Sequence, residues 1–253
     1  MQKIYTFSAV IFFLLLLNFA PLSAQNNKEP KLNPGFIIGF SYGYEMPAGD
    51  IAKLYGSNFK VDITPSYYFK KSNIAVGLEL SYLFGGKVKQ NTFLNLLTFD
   101  NHIIGVEGAF ANIQTSERGV IAGALVSKIV PFNKNLRSGI RIEAGAYMIR
   151  HWINFKIVGE IPQLKSEYLK GYDRLTGGFA LKEFVGYQYL EEDSKINFYA
   201  GFELYQAFTK NLRGFNYDTA QIDDSPKHDY LFGVKIGWIL PLYIDKNPEE
   251  IYY

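Results

Sequence analysis

The sequence predicts an all-β fold, a closed up-and-down antiparallel transmembrane β-barrel of eight strands, and three observations carry that prediction. Large apolar side chains alternate with small or polar ones over long stretches, the period of two that marks a strand. Short polar connections alternate with long ones along the chain. The apolar face is also too bulky to fit inside a barrel of eight strands, whose interior is just wide enough to be filled by side chains.

The first strand shows the pattern: Phe36, Ile38, Phe40, Tyr42 and Tyr44 share one face, with Ile37, Gly39, Ser41 and Gly43 on the other. From 59 to 69 the faces are Phe59, Val61, Ile63, Pro65, Tyr67, Phe69 against Lys60, Asp62, Thr64, Ser66, Tyr68. From 74 to 84 they are Ile74, Val76, Leu78, Leu80, Tyr82, Phe84 against Ala75, Gly77, Glu79, Ser81, Leu83. Further strands follow at 140–148, 196–204 and 230–242, where "KIGWILPL" sets Ile236, Trp238, Leu240 and Leu242 opposite Lys235 and Gly237. Two more, near 118–131 and 178–190, are strand-like with no clear facing.

The turns "KKSN", "FNKNLRSG" and "EEDSK" are short, whereas 47–57, 85–118, 151–177 and 210–228 are longer. That alternation around an even number of strands is the organisation of outer-membrane barrels, with long loops outside the cell and both termini in the periplasm. The greasy face then meets lipid, and the face of Gly, Ser, Ala and Thr with scattered charges fills the interior. A soluble exported barrel or sandwich, greasy side inward, is the alternative that side-chain volume disfavours.

The expected division is a signal peptide over 1–24, a polar linker over 25–34, the barrel over 35–243 and a periplasmic tail over 244–253. Lys3, the apolar run Ala9–Leu17 and Leu22-Ser23-Ala24 supply the parts of a secretory signal. The chain has no cysteine, which excludes disulfides, thiolate catalysis and Cys-ligated metal. Lys plus Arg number 26 against 24 Asp plus Glu, so charge gives no bias toward nucleic acid.

On the inward face the alternation collects Lys60, Asp62, Glu79, Arg141, Glu143, Glu203 and Lys235, expected as a paired polar core, with an ion or proton pathway as the alternative. Lipid A chemistry by Ser and His makes His102, His151 and His228 worth weighing; each is expected in or beside a loop and none has a partner at identifying spacing. Asp218, Asp223, Asp224 and Asp229 crowd the fourth long loop without the spacing of a calcium loop and are expected to be solvated. Tyr172, Asp173 and Arg174, in "KGYDRLTGG", are candidate loop contacts, folded on the barrel rim or open to a partner. No cofactor is expected.

Lys235, Gly237, Leu240 and Leu242 resemble the terminal-strand assembly signal of outer-membrane proteins, although Pro241 interrupts it and a tail follows. "MPAGDIAKLYG", "KGYDRLTGG" and "INFYAGFELYQAFTK" resemble small Bacteroidetes-type outer-membrane barrels, OmpA/OmpW-like and eight-stranded, PorG-like secretion components among them. The resemblance implies a non-enzymatic structural or interaction module, with a subunit of a secretion or envelope-assembly machine as its most concrete version. Implied partners are outer-membrane lipid, the barrel-assembly machinery and periplasmic or outer-membrane proteins. An OmpW-like binder or channel for small hydrophobic solutes and a lipid A-modifying barrel enzyme are the alternatives.

Overall fold

The computed structural model describes residues 35–69, 72–132, 138–159, 161, 164–190 and 197–243. The signal peptide, linker and tail expected at 1–34 and 244–253 lie outside them. In chain order the elements are β1 (Gly35–Gly49), helix α1 (Ile51–Leu54), β2 (Asn58–Phe69), β3 (Ile74–Gly85), β4 (Ile103–Ile104), β5 (Phe110–Pro131) and β6 (Gly139–Val158). Helix α2 (Ser166–Leu169), β7 (Thr176–Tyr189), β8 (Phe198–Asn211), β9 (Phe215–Asn216), β10 (Gln221–Ile222) and β11 (Lys227–Tyr243) follow.

Eight long strands form one ring. The hydrogen-bonded order runs β3-β2-β1-β11-β8-β7-β6-β5, and β5 pairs back onto β3 to close it. Every pairing is antiparallel, and β1 meets β11 from Gly35↔Tyr243 to Gly49↔Asp229. β4, β9 and β10 belong to the loops. Closure leaves the ring without an unpaired edge, so its backbone polar groups are satisfied within the sheet.

Burial follows the period of two in every strand of the ring. In β2 each of Asn58, Lys60, Asp62, Thr64, Ser66 and Tyr68 is buried, and their neighbours are exposed or half-exposed. Leu78 is 64% exposed and Phe202 67%, large apolar side chains turned away from the core. The two strands without a clear facing are resolved by the same alternation: Ile121, Leu125 and Ile129 of β5 and Ala180, Lys182 and Phe184 of β7 point inward.

Glycine makes room for the inward aromatic rings. A Cβ on Gly237 would lie 2.4 Å from ring atoms of Tyr199, and one on Gly201 would lie 2.7 Å from the Phe184 ring and 2.5 Å from the Gly186 backbone. These rings fill the space that a side chain at either glycine would need. The abundance of Gly on the inward face is therefore a packing requirement.

β5 and β6 run further than the alternation in the sequence suggests. Their pairing continues through Glu117↔Ile153 to Asn112↔Val158, so the third long loop begins after Val158 and His151 lies within a strand. The phase of the pattern inverts there. Below that level Ile142, Ala144, Ala146 and Met148 face outward; above it Ile153, Phe155 and Ile157 face inward while Asn154 and Lys156 are exposed. Ala111, Ile113, Phe155 and Ile157 pack against a separate loop core of Phe93, Ile103, Ile161, Leu164 and Tyr172. A reading that requires one constant greasy face stops at this inversion. The first loop is likewise shorter than expected, because Pro47 still pairs with Leu231 in the ring.

Candidate functional site in the barrel interior and mouth

The interior is filled in layers. At the turn end Ile37, Phe184, Leu190, Tyr199 and Ile239 form an apolar floor, and Tyr68, Ala75 and Ile129 form a smaller cluster. Above them lies a band of charges. Glu79 accepts two hydrogen bonds from Lys182 Nζ, at 2.6 and 2.8 Å, one from Lys235 Nζ at 3.0 Å and one from the Tyr205 hydroxyl at 2.9 Å. Lys60 Nζ stands 2.6 Å from Glu203 Oε1 and 3.4 Å from Glu45 Oε1, and donates to Tyr205 at 2.9 Å. Lys235 also reaches Asp62 at 3.0 Å, and Ser41 donates to Asp62 at 2.8 Å. Arg141 pairs with Glu143, donates to Gln188 at 3.0 Å and lies 4.3 Å above the Tyr199 ring.

Lys60, Asp62, Glu79, Arg141, Glu143, Glu203 and Lys235 are thus all brought into this band, joined by two charges that sequence reasoning missed. Lys182, 1% exposed, sits in β7, where Lys182 and Glu183 set a charge on each face and obscured the alternation. Glu45 follows directly on the alternating run that ends at Tyr44, and continuing the period by one residue turns it inward. Charges withdrawn from water need partners, and here most cations meet two or more carboxylates. The side chains span the lumen from β1, β2 and β3 to β6, β7, β8 and β11.

The mouth at the loop end is closed by α1 and its flanks. Ile51 and Tyr55 descend onto Leu83, Ile121, Ile149, Ile153 and Leu231, all buried. Asp229 anchors the helix, accepting from the Ile51 amide at 2.8 Å and from Thr209 Oγ1 at 2.5 Å. Asp50 accepts from the His228 amide at 2.9 Å. Hydrogen bonds from the Lys53 side chain and then the His228 backbone hold its carboxyl below the usual range. Asn58 donates to both oxygens of buried Glu117, at 3.1 and 3.0 Å, beside the plug.

His151 corrects the loop expectation. It is buried in β6, with Nε2 3.5 Å from Asp229 Oδ2 and its ring edge-on to Tyr55. His102 stacks near Phe110 in the second loop and His228 packs against Phe208, so the three histidines occupy three separate places. Among the described residues no group of three His, Asp or Glu is placed to hold a metal ion.

The acidic fourth loop is also less solvated than expected. Asp218 takes a 2.5 Å bond from Arg174, Asp229 is inside the mouth, and only Asp224 stands exposed among the four. Burial acts to raise Asp223, but hydrogen bonds from Lys227, Asn211 and Asn216 outweigh it and bring its carboxyl down to about 2. Tyr172, Asp173 and Arg174 are engaged by the protein's own loops. Tyr172 packs on Phe93 and Tyr217, Asp173 pairs with Arg213 at 2.7 Å, and Arg174, with φ +50°, is fixed by Asp218. A cavity of about 670 Å³ opens above the plug, lined by Lys53, Lys89, His151, Arg174, Asp223 and Lys227 among others.

In β11, Lys235 and Gly237 face the lumen while Leu240 and Leu242 face out. Any role of this segment in assembly is therefore shared with packing, since Lys235 belongs to the ionic band.

Neither a protein-family model nor a curated protein sequence matches the chain. Among solved structures the chain is similar to Ail, the attachment invasion locus protein of Yersinia pestis, at 10% identity, covering 83% of this chain and 100% of that one with a TM-score of 0.40. It is also similar to the outer membrane protein OprG of Pseudomonas aeruginosa, at 14% identity, 82% and 97% coverage and a TM-score of 0.40. The N-terminal β-barrel domain of Pseudomonas aeruginosa OprF matches at 12% identity, 83% and 100% coverage and a TM-score of 0.37. The fold assigned here rests on the closed ring of strand pairs.

Proposed function

We propose that the protein is an integral outer-membrane β-barrel, non-enzymatic, acting as a structural or interaction module, with its long loops outside the cell and both termini in the periplasm. The carrying observation is the inside-out distribution of side chains: Phe40, Val61, Leu78, Leu181, Phe202, Val234 and Ile236 are exposed, while nine ionisable side chains are packed across the lumen. Water cannot accommodate so large an apolar belt on a stable monomer, and a closed sheet is the one β-architecture that lipid accepts. Aromatic residues flank the belt, with Tyr44, Phe84 and Phe179 toward the loops and Phe36, Tyr67, Tyr187 and Trp238 toward the turns, as at membrane interfaces.

Three filled layers, apolar floor, ionic band and plug, support a sealed lumen, and the charged layer lies across a hydrophobic solute's path along the barrel axis. What remains available for function is the outer surface and the loops. The finer reading, a subunit of a secretion or envelope-assembly machine, draws its support from the sequence resemblance together with this sealed interior. Lipid surrounds the belt, and the assembly machinery would read the last strand during insertion.

Purified protein reconstituted in planar bilayers tests the proposal. The expected record has no stable openings, and deletion leaves the lipid A mass profile unchanged. A reproducible conductance would replace the interaction reading by transport, and an altered lipid A profile would replace it by catalysis.

A further inference from the structure

Among the outward positions of the eight spanning strands one carboxylate stands apart. Glu183 lies on the outer face of β7, between Leu181 and Val185, with Phe179 and Tyr187 one step further in each direction. It is at the middle of that strand's apolar stretch. Its cross-strand neighbours are Ala144 of β6 and Leu204 of β8, neither of which can pair with it. It is half-exposed, and among the described residues it makes no hydrogen bond or ion pair. An ionisable group in such a place is costly to keep against lipid.

The surface beside it is recessed. Ala144 and Ala146 of β6 pair with Glu183 and Leu181, and one strand further Ala124 pairs with Ala146 and Ala122 with Met148, so four outward alanines lie on the β5 and β6 side of Glu183. Elsewhere the belt presents mainly Phe, Tyr, Leu, Ile and Val, with Ala200 and Gln206 as smaller or polar exceptions on β8. Small residues let a neighbouring backbone approach closely, and the carboxylate gives that neighbour something to bind.

We propose that the outer face of β5, β6 and β7 around Glu183 docks a second, different membrane protein, which presents a lysine or an arginine from an otherwise apolar surface at mid-depth. This rests on the membrane reading above. Charge complementarity selects the occupant. The outward cations of this chain lie toward the ends of the spans, Arg118, Arg150 and Lys210 near the loops and Lys128 near the turns. Two copies inserted in the same orientation keep equal depths about a two-fold axis along the membrane normal. A second copy would therefore bring apolar residues, the Gln206 amide or another carboxylate to Glu183 and no cation, and a lipid headgroup stays at the interface.

The experiment places a photo-crosslinking residue at Ala146 of the full-length protein in the outer membrane of cells that naturally produce it, with a control probe at Leu78 on β3. The expected result is one adduct with a different membrane protein from Ala146 alone, reduced at least tenfold by Glu183→Leu and lost with Glu183→Lys. Replacing the basic residue in the crosslinked segment of the partner by Glu should restore the adduct to the Glu183→Lys variant. Glu183→Gln, which retains shape and hydrogen-bonding capacity, should keep an intermediate yield. Adducts with lipid or a second copy only, an adduct indifferent to Glu183→Leu, or failure of the charge exchange would overturn the proposal. Fractionation and heat-modifiable mobility separate the two levels of inference. Protein absent from the outer membrane overturns the membrane reading with the docking, whereas embedded protein without the adduct overturns the docking alone.

Discussion

Replacing Lys182 by Met keeps most of the side-chain volume and removes the cation from the centre of the ionic band. Lys182 Nζ lies 2.6 Å from Glu79 and 3.5 Å from each of Glu143 and Glu203. Without it Glu45, Asp62, Glu79, Glu143 and Glu203 face Lys60, Arg141 and Lys235 alone. Removing one partner of a buried pair costs about 3–5 kcal/mol, because the remaining charge stays desolvated. The expected loss of stability is in that range. Adding Glu79→Gln should recover part of it, since residues of one network couple by about 0.5–3 kcal/mol. Urea unfolding in lipid vesicles, followed by gel mobility and by the fluorescence of Trp152 and Trp238, gives both numbers. A loss below about 1 kcal/mol that adds independently to that of Glu79→Gln would mean that water reaches the band, and the sealed interior would be refuted.

Three further expectations read other parts of the structure. Leu80→Arg, at the middle of the outward face of β3, should destabilise the barrel by about 2–4 kcal/mol in bilayers, and Gly201→Val should block folding, because its Cβ would already lie 2.4 Å from the Val185 carbonyl oxygen; vesicle refolding yields measure both. Single cysteines are clean probes in a chain without any, and an impermeant maleimide applied to intact cells should label Asp223→Cys but not Ser72→Cys, the reverse pattern contradicting the orientation. For Asp223 the folded value lies below its ordinary 3.8, so its contribution to loop anchoring is complete above that pH and is lost as pH falls toward about 2. The protection factor of the Asn216 amide, referred to the intrinsic exchange rate at each pH, should fall as pH drops across that interval in the wild type, and the dependence should vanish in Asp223→Asn.

The ring of eight strands was legible in the sequence because a membrane barrel imposes one rule on every strand, large apolar residues outward and small or charged ones inward. That rule separates the faces of β1, β2, β3, β8 and β11 without reference to any partner strand. It loses its grip where the environment changes. Ile153, Phe155 and Ile157 continue β6 with the opposite phase, because beyond the apolar belt the outer side of the hairpin is polar and its inner side is covered by loops. In β7 the adjacent charges Lys182 and Glu183 point to opposite sides, one into the ionic band and one onto the outer belt, so no face was recognisably polar. The burial of Asp229 and His151 beneath α1 depends on how a four-residue helix folds into the mouth. Such tertiary placement leaves no local pattern.

The central claim is a sealed lumen inside an apolar surface that meets lipid, and spin labels walked along β11 from Leu231 to Leu240 in reconstituted vesicles test both halves. Oxygen, which concentrates in the hydrocarbon, should collide most with labels at Phe232, Val234, Ile236 and Trp238 and least at the inward positions that already carry a side chain, Leu231, Lys235 and Ile239, a period of two. A water-soluble nickel complex should reach neither set. Nickel access at Lys235 would show a water-filled channel, and nickel access at Val234 and Ile236 would place the apolar belt outside any membrane.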